Sequence, residues 1–375
     1  MNAAVARHAD TAAPRLAAGP GHLRIAVFSY GLPYPGLKRG GVEQVAHDLA
    51  NAWVDRGHAV TVFTYDPRPP AARYETAPLP WRSFVLSWLG RRMTMGYVGN
   101  LLALAPRYSG FDVIIAHGDS LLLPLLGKPV VRVMHGSALE EARSATSIGR
   151  AVLQYGVYLQ ELLTAMLLPS TVGVSRNTAE SNRFLRRVIP NGIDRAVFRP
   201  DDTKRSAHPS ILFVGALGGR KRGAWLLEQF RRVVRPRFPD AELHMVTAAG
   251  PDEPGVHYHS GISTTDLVGL YQAAWVYASP STYEGFGLPY LEAMGCGTPV
   301  VATPNPGSRE VLDNGRYGRL EGDDTFALAI VQLLDDPAGR TALISAGLDR
   351  ASQFDVARSA ALYDSLIQEL TATHA

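Results

Sequence analysis

Short apolar runs that alternate with amphipathic stretches are the feature that most limits how this chain can fold. In the first half, five such runs occupy residues 22–29, 59–64, 112–116, 130–134 and 171–174. The segments between them have the spacing of helices that bury one face. Strands that alternate with helices in this way predict an open parallel sheet covered by helices on both faces. We therefore expect an α/β fold.

The same alternation starts again after the polar stretch Phe198 to Thr203, which has the composition of a linker. Further apolar runs follow at residues 210–215, 242–246, 275–279 and 299–303. The 375 residues exceed the ~250–300 at which single cores stop growing. We therefore predict two Rossmann-like halves, with a ligand crevice between the carboxyl edges of their sheets.

Four segments follow from this division. Residues 1–22 contain Ala, Arg and Pro without a continuous apolar core, which predicts a disordered leader. Residues 23–200 and 201–355 form the N-terminal and C-terminal Rossmann-like domains. Residues 356–375 carry a final amphipathic helix, and we expect it to cross back to the N-terminal domain.

Charge and cysteine content exclude several classes of function. The net charge of +3 and the pI near 8.9 are too small for a dedicated nucleic-acid binder of this length. A single cysteine, Cys296, excludes an internal disulfide framework and suits a reducing cytoplasm. No Cys/His cluster or Asp-x-Asp pair has metal-ligand spacing in the sequence, so no metal is implied.

Two segments bear on membrane contact. Residues 148–168 are largely apolar, but they include Arg150 and Glu161, which a spanning helix would bury at a cost of several kcal/mol. A buried helix is therefore expected there. The stretch Trp81 to Arg92 mixes aromatic residues with cations. Buried packing and peripheral attachment at the inner face of the membrane are the alternatives for this stretch, in an otherwise cytoplasmic protein.

Two carboxylates, Glu284 and Glu292, flank a segment rich in glycine that follows the run at 275–279. Pro289 suits the first turn of a helix, which places Glu284 in the preceding loop and Glu292 in the first helical turn. The backbone amides at this helix N-terminus would form an anion site. They belong to Phe286, Gly287 and Leu288. A site that holds a phosphate between two carboxylates, each able to bind hydroxyl groups, suits a sugar nucleotide. The alternative is that Glu284 lies in a solvated loop and Glu292 is a helix-capping acid.

A basic cluster follows the run at 210–215, in the sequence Gly215-Ala-Leu-Gly-Gly-Arg-Lys-Arg-Gly223. Its side chains should lie at the carboxyl edge of the second sheet, where anions bind. Arg220 offers a planar fork for phosphate oxygens, and Lys221 offers a compact charge. We expect both to bind phosphate and Arg222 to be merely exposed.

Paired glycines precede the first helix, in the segment Lys38-Arg-Gly-Gly-Val-Glu43. Glycine lets the backbone approach a ligand closely, so Gly41 is a candidate donor contact, and a flexible loop is the alternative. The segment lacks the G-x-G-x-x-G spacing of dinucleotide-binding folds, which argues against a nicotinamide enzyme.

Two histidines follow strands at the same predicted sheet edge. His117 comes after the run at 112–116, and His135 comes after the run at 130–134. Small residues, Gly136 and Ser137, follow His135 and leave room for a ligand. We expect His135 to donate to or orient the reacting sugar, and His117 to be structural.

The segment from Glu284 to Glu292, Glu-Gly-Phe-Gly-Leu-Pro-Tyr-Leu-Glu, resembles the E-x7-E motif of a known family. That family is the retaining, family 4, nucleotide-sugar-dependent glycosyltransferases of GT-B fold. Three more segments resemble it: Gly40-Gly-Val-Glu43, Val188-Ile-Pro-Asn-Gly-Ile-Asp194 and Gly295-Cys-Gly-Thr-Pro-Val-Val301. The resemblance extends from about Leu23 to the C-terminus and implies two Rossmann-like domains that face each other across a crevice.

The resemblance also implies roles for the candidate residues. Glu292 would bind the ribose hydroxyls of the donor, and Glu284 would contact the transferred sugar near His135. Arg220 and Lys221 would neutralise the diphosphate, as a metal ion does elsewhere. The other donor contacts would be Gly41, Phe286, Gly287 and Leu288.

One position departs from the family pattern. The family often has an arginine directly after the glycine that corresponds to Gly215, whereas this chain has Ala216. We expect Arg220 to take over that role.

The expected activity is therefore transfer of a sugar from a nucleoside diphosphate sugar to a hydroxyl acceptor, with retention, and with no cofactor and no metal. The acceptor stays open among a glycan, a lipid-linked acceptor and a small molecule. Two other functions also stay open. One is a sugar-nucleotide epimerase or hydrolase, and the other is a GT-B protein that binds sugar nucleotides without turnover.

Overall fold

The structure is a computed structural model, and it describes residues 22–34, 40–79, 99–118, 120–143 and 147–374. Most of the predicted leader lies outside the described residues. So do Lys38, Arg39 and the stretch Trp81 to Arg92.

The first sheet has seven strands, all parallel, in the order β3-β2-β1-β4-β5-β6-β7. Its strands are β1 (Arg24–Phe28), β2 (Ala59–Thr64), β3 (Glu75–Pro78), β4 (Val113–His117), β5 (Val130–Met134), β6 (Thr171–Gly173) and β7 (Arg187–Val188). The central strands β4 and β5 are buried along their whole length, as expected for a parallel sheet covered on both faces.

The second sheet has six parallel strands in the order β10-β9-β8-β11-β12-β13. Its strands are β8 (Ser210–Val214), β9 (Glu242–Val246), β10 (Val256–His259), β11 (Val276–Ser279), β12 (Val300–Ala302) and β13 (Arg319–Leu320). From β8 the chain adds strands toward one edge of the sheet, and from β11 it adds them toward the other edge. Open α/β sheets bind ligands at such a switch point, here between β8 and β11.

The apolar runs predict nine of these strands, and the four that they miss are all edge strands: β3, β7, β10 and β13. An edge strand has one neighbour and keeps part of its surface in water, so it needs no continuous apolar run. The residues of β3 are only half-buried or exposed, which shows why no such run marks it.

Thirteen α-helices occur in the described residues. In the first half they are α1 (Gly41–Asp55), α2 (Gly99–Ala103), α3 (Ala138–Arg143), α4 (Ile148–Leu167) and α5 (Arg176–Glu180). In the second half they are α6 (Gly223–Gln229), α7 (Arg235–Arg237), α8 (Thr264–Ala273), α9 (Leu288–Gly295), α10 (Pro306–Val311), α11 (Asp323–Asp335), α12 (Pro337–Ser352) and α13 (Val356–His374). A π-helical turn, Phe230–Val234, joins α6 to α7.

Helix α4 is not buried, so the expectation of a buried helix at residues 148–168 is wrong. One face of it carries exposed apolar side chains, including Ile148 at 85%, Val152 at 65% and Leu159 at 59% exposure. Only Thr164 and Ala165 of this helix are buried, and other residues such as Gln154, which donates to Glu141 at 3.0 Å, are half-buried. In the described parts of the chain, no helix is both long and apolar enough to cross a membrane.

The last helix, α13, packs on α1 of the first half. The rings of Trp53 and Tyr363 meet edge to face with centroids 5.8 Å apart. The Arg56 guanidinium donates to the Asp364 carboxylate at 2.5 Å, and His58 Nε2 lies 3.4 Å from the same carboxylate. The end of the chain therefore ties the C-terminal half to the N-terminal sheet.

Candidate active site

The carboxyl end of β5 meets the loop that follows β11, so the carboxyl edges of the two sheets face each other here. A methyl group on Gly285 would lie only 2.7 Å from the carbonyl oxygen of His135. The N–H of Ser137 donates to the Tyr283 hydroxyl at 3.4 Å. Glycine is therefore required at position 285, because any side chain there would push the two halves apart.

The N-terminus of α1 enters the same crevice. A methyl group on Gly41 would lie 3.4 Å from Cδ1 of Leu288, so the first turn of α1 and the first turn of α9 face each other. The Gly40 N–H donates to the Glu43 carboxylate at 2.9 Å, which closes the first turn of α1. The structure thus brings the predicted donor contacts Gly41 and Leu288 together from opposite halves of the chain.

Buried hydrogen bonds fix the loop between β11 and α9. The Ser281 carbonyl accepts from Thr303 Oγ1 at 2.7 Å and from Asn305 Nδ2 at 2.8 Å. The Gly307 N–H donates to the Glu284 carbonyl at 3.0 Å. A loop whose polar groups are satisfied in this way holds one conformation, so the Glu284 side chain has a defined position.

The Glu284 carboxylate accepts hydrogen bonds from both predicted phosphate ligands. Lys221 Nζ lies 2.5 Å from its Oε1, and Arg220 Nη1 lies 2.9 Å from its Oε2. Glu284 is 7% exposed, which excludes the alternative of a solvated loop acid. Burial by itself would raise the pKa of Glu284, but the charges of Lys221 and Arg220 outweigh burial and hold that pKa below its usual value.

A short 3-10 turn, Gly219–Lys221, carries these two cations between β8 and α6. The Thr282 N–H donates to the Arg220 carbonyl at 2.9 Å, and Arg220 Nη1 donates to the Tyr283 carbonyl at 2.6 Å. These contacts tie the basic turn to the loop after β11. The cations are therefore held beside Glu284 by the backbone as well as by their charges.

Arg222 points away from this cluster. It pairs with Asp323 in a two-point contact, with the shorter distance at 2.6 Å, and lies over the Trp225 ring at 4.3 Å from its centroid. The expectation that Arg222 is merely exposed is wrong: its side chain is 21% exposed, less than the 46% of Arg220, because Asp323 and the Trp225 ring hold it.

Helix α9 begins at the predicted anion site. Gly287 caps it with φ of 100°, a left-handed conformation that favours glycine, and Pro289 is its second residue. The backbone N–H groups of Phe286, Gly287 and Leu288 lie at this end of the helix. Among the described residues, they donate to no backbone carbonyl. Such unpaired amides bind anions, and the two basic side chains of the 219–221 turn lie beside the same loop.

Glu292 does not lie in the first turn of α9, so that prediction is wrong. The helix begins at Leu288, because the missing N–H of Pro289 costs nothing at the second helical position, and Glu292 is therefore in the second turn. Glu292 is 8% exposed, and the Tyr271 hydroxyl donates to its Oε2 at 2.9 Å. It is thus a buried acid in the crevice rather than a capping acid.

Burial raises the pKa of Glu292 to about 7, although the Tyr271 hydroxyl and the Lys221 charge both lower it. Across the crevice, burial likewise raises the pKa of Asp48 on α1 to about 7, and the nearby carboxylates of Asp194 and Glu292 raise it further. Both acids therefore exchange a proton near neutral pH, and each has carboxyl oxygens that can accept a hydrogen bond from a hydroxyl group.

Sequence reasoning missed Asp48, Tyr271 and Tyr283. Asp48 follows Gly41 by seven residues, which returns to the same face of a helix, so the sequence did contain a signal for it. Tyr271 lies on α8 and reaches Glu292 only through the packing of two helices. Nothing in the spacing of the sequence indicates that contact.

The two strand-end histidines contact each other. His117 Nδ1 lies 2.8 Å from His135 Nε2. Burial lowers the pKa of His135 to about 4. Burial also lowers the pKa of His117 well below its usual value, and the neighbouring His135 lowers it further. Both rings are therefore neutral at pH 7, so one nitrogen donates across the contact and the other accepts.

The outer ring nitrogens, His117 Nε2 and His135 Nδ1, are buried and have no partner among the described residues. Whichever way the shared proton points, one of these atoms is a donor and the other an acceptor. His135 was expected to act at the reacting sugar and His117 to be structural, and the structure joins the two rings in one pair.

No group of three metal ligands lies in this crevice within the described part of the chain. The single such group among the described residues is on β9 and β10, away from Glu284 and Lys221. The positive charge beside the α9 N-terminus comes from the two basic side chains.

The sequence matches two protein-family descriptions. Residues 39–197 match Glycosyltransferase Family 4, and residues 208–336 match Glycosyl transferases group 1. A D-inositol 3-phosphate glycosyltransferase of Arthrobacter is 32% identical over 47% of this chain and 48% of its own length. An MMP alpha-(1->4)-mannosyltransferase of Mycolicibacterium hassiacum is 27% identical over 93% of this chain and 100% of its own length.

Solved structures of glycosyltransferases share the fold. Sucrose-phosphate synthase from Thermosynechococcus elongatus superposes with a TM-score of 0.75 at 22% identity, over 94% of this chain and 100% of that one. Anabaena HepE, solved with UDP and glucose, superposes with a TM-score of 0.68 at 20% identity, over 93% and 100%. The predicted GT-B architecture of two parallel-sheet domains is confirmed.

Both halves of the crevice thus fall within matched regions: His135 and Gly41 in the first, and Lys221, Glu284 and Glu292 in the second. The two matches together cover more than half of the chain, and its relatives are named transferases. The chain therefore belongs to the group 1 and family 4 glycosyltransferases of GT-B fold.

Proposed function

We propose that this protein transfers a sugar from a nucleoside diphosphate sugar to a hydroxyl acceptor, with retention at the anomeric carbon and without a metal ion. The observation that carries the proposal is the contact of Arg220 and Lys221 with Glu284, beside the N-terminus of α9. A diphosphate leaving group needs concentrated positive charge, which two cations and free backbone amides supply.

The donor would lie across this arrangement. Its diphosphate would face Arg220, Lys221 and the amides of residues 286–288, and its ribose hydroxyls would face Glu292. The transferred sugar would then lie near Glu284 and His135, at the point where Gly285 meets the His135 carbonyl. The solved HepE complex with UDP and glucose supports this donor class.

The proposed step breaks the bond between the anomeric carbon and the β-phosphate oxygen, and that oxygen leaves with the bonding electrons. Lys221 and Arg220 stabilise the negative charge that develops on it. The acceptor hydroxyl attacks the anomeric carbon from the face that the phosphate leaves, and its proton passes to the departing phosphate oxygen. His135, whose ring is held by the buried His117, orients the reacting sugar.

A donor screen tests this function. The purified chain would be mixed with radiolabelled UDP-glucose and GDP-mannose, with and without a mixed pool of glycan, lipid-linked and small-molecule acceptors. We expect release of nucleoside diphosphate in EDTA, and an acceptor product whose anomeric configuration matches the donor by NMR. Isomerised donor without acceptor would instead support an epimerase, and binding without turnover would support an inactive scaffold.

Variants separate the site from the rest of the surface. Lys221→Ala should reduce turnover by about 10²–10³-fold, since it removes one cation from the leaving group. Arg222→Ala is the matched control in the same turn, because Arg222 pairs with Asp323 instead. Equal activity of the two variants would contradict the assignment of the diphosphate to Lys221.

We also propose that the protein is cytoplasmic and makes peripheral contact with a membrane. The exposed apolar face of α4 and the adjacent Arg150 support this contact. In co-sedimentation with anionic phospholipid vesicles, we expect the wild type in the pellet and Leu159→Glu in the supernatant. Wild-type protein that stays in the supernatant would contradict the proposal.

A further inference from the structure

Four side chains with metal-binding groups share one face of the edge pair β9–β10. On β9, Leu243 and Met245 are buried in the core beneath the sheet, so Glu242 and His244 lie on the opposite face. On β10, Val256 and Tyr258 pack on that same core, so His257 and His259 share the face of His244. The strands are parallel, with His244 opposite His257.

Three of these side chains place their ligand atoms around one point. His244 Nε2 lies 3.3 Å from Glu242 Oε2, and His257 Nε2 lies 3.6 Å from Glu242 Oε1. The ligand atoms of the three residues are all within 4.8 Å of one another. Zinc–ligand bonds of about 2.0–2.1 Å imply about 3.3 Å between neighbouring ligand atoms of a tetrahedron. Each histidine nitrogen is already close to that distance from one oxygen of the Glu242 carboxylate, His244 from Oε2 and His257 from Oε1.

The fourth residue, His259, orients His244. Its Nε2 lies 3.1 Å from His244 Nδ1, and the two rings are nearly parallel at 22°. When His244 Nδ1 donates its proton to His259, His244 Nε2 keeps its lone pair toward Glu242. Hydrogen bonds from the second ring nitrogen set the tautomer of metal-binding histidines in this way.

The charge environment also suits a cation. Among the described residues, Glu242 pairs with the two imidazoles and with no Lys or Arg. Its side chain is 38% exposed, and that of His257 is 46% exposed, so an ion can reach them from solvent. Two imidazoles and a carboxylate are ligands that zinc and similar first-row divalent ions prefer over magnesium or calcium.

We propose that Glu242, His244 and His257 bind one zinc-class divalent cation, with water in the fourth position and His259 as the orienting residue. The ion would join β10, the exposed edge strand, to β9. The site is independent of the proposed transfer reaction, since its residues share no contact with Glu284 or Lys221. Sequence spacing alone did not reveal it, because the ligands come from two strands separated by a loop.

The test is equilibrium dialysis of chelator-treated full-length protein against ZnCl2 alone. We expect one Zn²⁺ per chain, and a raised melting temperature in the presence of the metal. Co²⁺ at the same site should show the visible absorption of tetrahedral coordination. Mg²⁺ should neither bind nor raise the melting temperature.

Variants decide whether this cluster is the site. His257→Ala, on the exposed edge strand, should weaken Zn²⁺ binding by more than about a hundredfold, and His259→Ala by about tenfold. His208→Ala is the matched control, because His208 is exposed and lies 3.5 Å from Asp240 elsewhere on the surface. Circular dichroism without metal would check folding, and Glu242→Gln would replace any variant that fails to fold.

Two results would overturn the proposal: wild-type protein that binds no Zn²⁺, or His257→Ala and Glu242→Gln proteins that bind as tightly as the His208→Ala control.

Discussion

The Lys221 ammonium lies 2.5 Å from Oε1 of Glu284. The two residues are 63 positions apart in the chain and come from the turns after two neighbouring strands, β8 and β11. This contact means that the cations assigned to the diphosphate also pair with a buried carboxylate. Donor binding therefore has to share these cations with Glu284.

Replacing Glu284 by glutamine should separate donor binding from transfer. Without the carboxylate, Arg220 and Lys221 are free to attract a diphosphate, so we expect affinity for a nucleoside diphosphate to rise by about threefold to tenfold. Transfer should fall by about 10²–10³-fold, because the sugar loses its contact. Calorimetry and turnover assays would measure the two effects.

The control for that experiment is Glu228→Gln, which removes a half-buried carboxylate of α6 that pairs with Arg231 and Arg232 of the π-helical turn. It should change neither quantity. Weaker diphosphate binding by the Glu284→Gln protein would show that Glu284 supports the anion site instead of competing for it.

Glu292 should make the fold less stable as the pH rises. Its folded-state pKa of about 7 lies above the usual value, so the folded state keeps a proton that the unfolded state loses. The contribution of Glu292 to the free energy of unfolding is fully present below about pH 4.5, the usual pKa of this group. It is lost as the pH rises toward 7, by at most about 1.4 kcal/mol per pH unit. Urea titrations of wild type and Glu292→Gln between pH 4.5 and 8 would measure the difference.

As the pH rises across that range, the wild type should lose stability relative to Glu292→Gln. It should also lose stability relative to Asp48→Asn, since burial raises the Asp48 pKa to about 7 as well. Parallel stability curves for wild type and both variants would contradict the raised pKa values.

Gly285→Ala should disturb the contact between the two halves. The added methyl group would lie 2.7 Å from the His135 carbonyl oxygen, so the backbone must shift, at a cost of about 1–3 kcal/mol. Because this shift moves Glu284 relative to His135, turnover should fall by at least about tenfold. Gly218→Ala is the control, as a methyl group there meets no atom within 4 Å. Similar losses in both variants would point to loop flexibility instead.

Asp364→Asn should loosen the C-terminal helix. Burial opposes ionisation of Asp364, but His58 and Arg56 outweigh it and hold the pKa below its usual value. This pairing therefore stabilises the fold above the ordinary carboxyl pKa and is lost as the pH falls through the folded-state pKa. We expect a loss of about 1–2 kcal/mol at pH 7, measured by thermal melting.

Glu369→Gln is the matched control on the same helix. Glu369 pairs with Arg187 at 2.6 Å in full contact with water, so its removal should leave the melting temperature unchanged. A drop for Glu369→Gln equal to that of Asp364→Asn would mean that the exposed contact with β7 holds the helix as strongly as the contact with α1.

Much of the fold is readable from local pattern. The apolar runs predict β5 at Val130–Met134 and β9 at Glu242–Val246 with the bounds that the structure has. They fail at β10, whose exposed His257 belongs to an edge strand that needs no apolar run. They also mislead at α4, where an apolar stretch that looks like core faces solvent at Ile148.

The sequence by itself determined the α/β class, the two halves, and the residue types of the candidate site, because these depend on short-range periodicity and on motifs of a few residues. The tertiary structure decided which of those residues touch: Lys221 with Glu284, His117 with His135, and Tyr271 with Glu292. It also decided the direction of the pKa shifts of the two glutamates and the two histidines, since burial and neighbouring charges come from segments far apart in the chain. Contacts between distant segments depend on how the two sheets pack, and no local pattern encodes that packing.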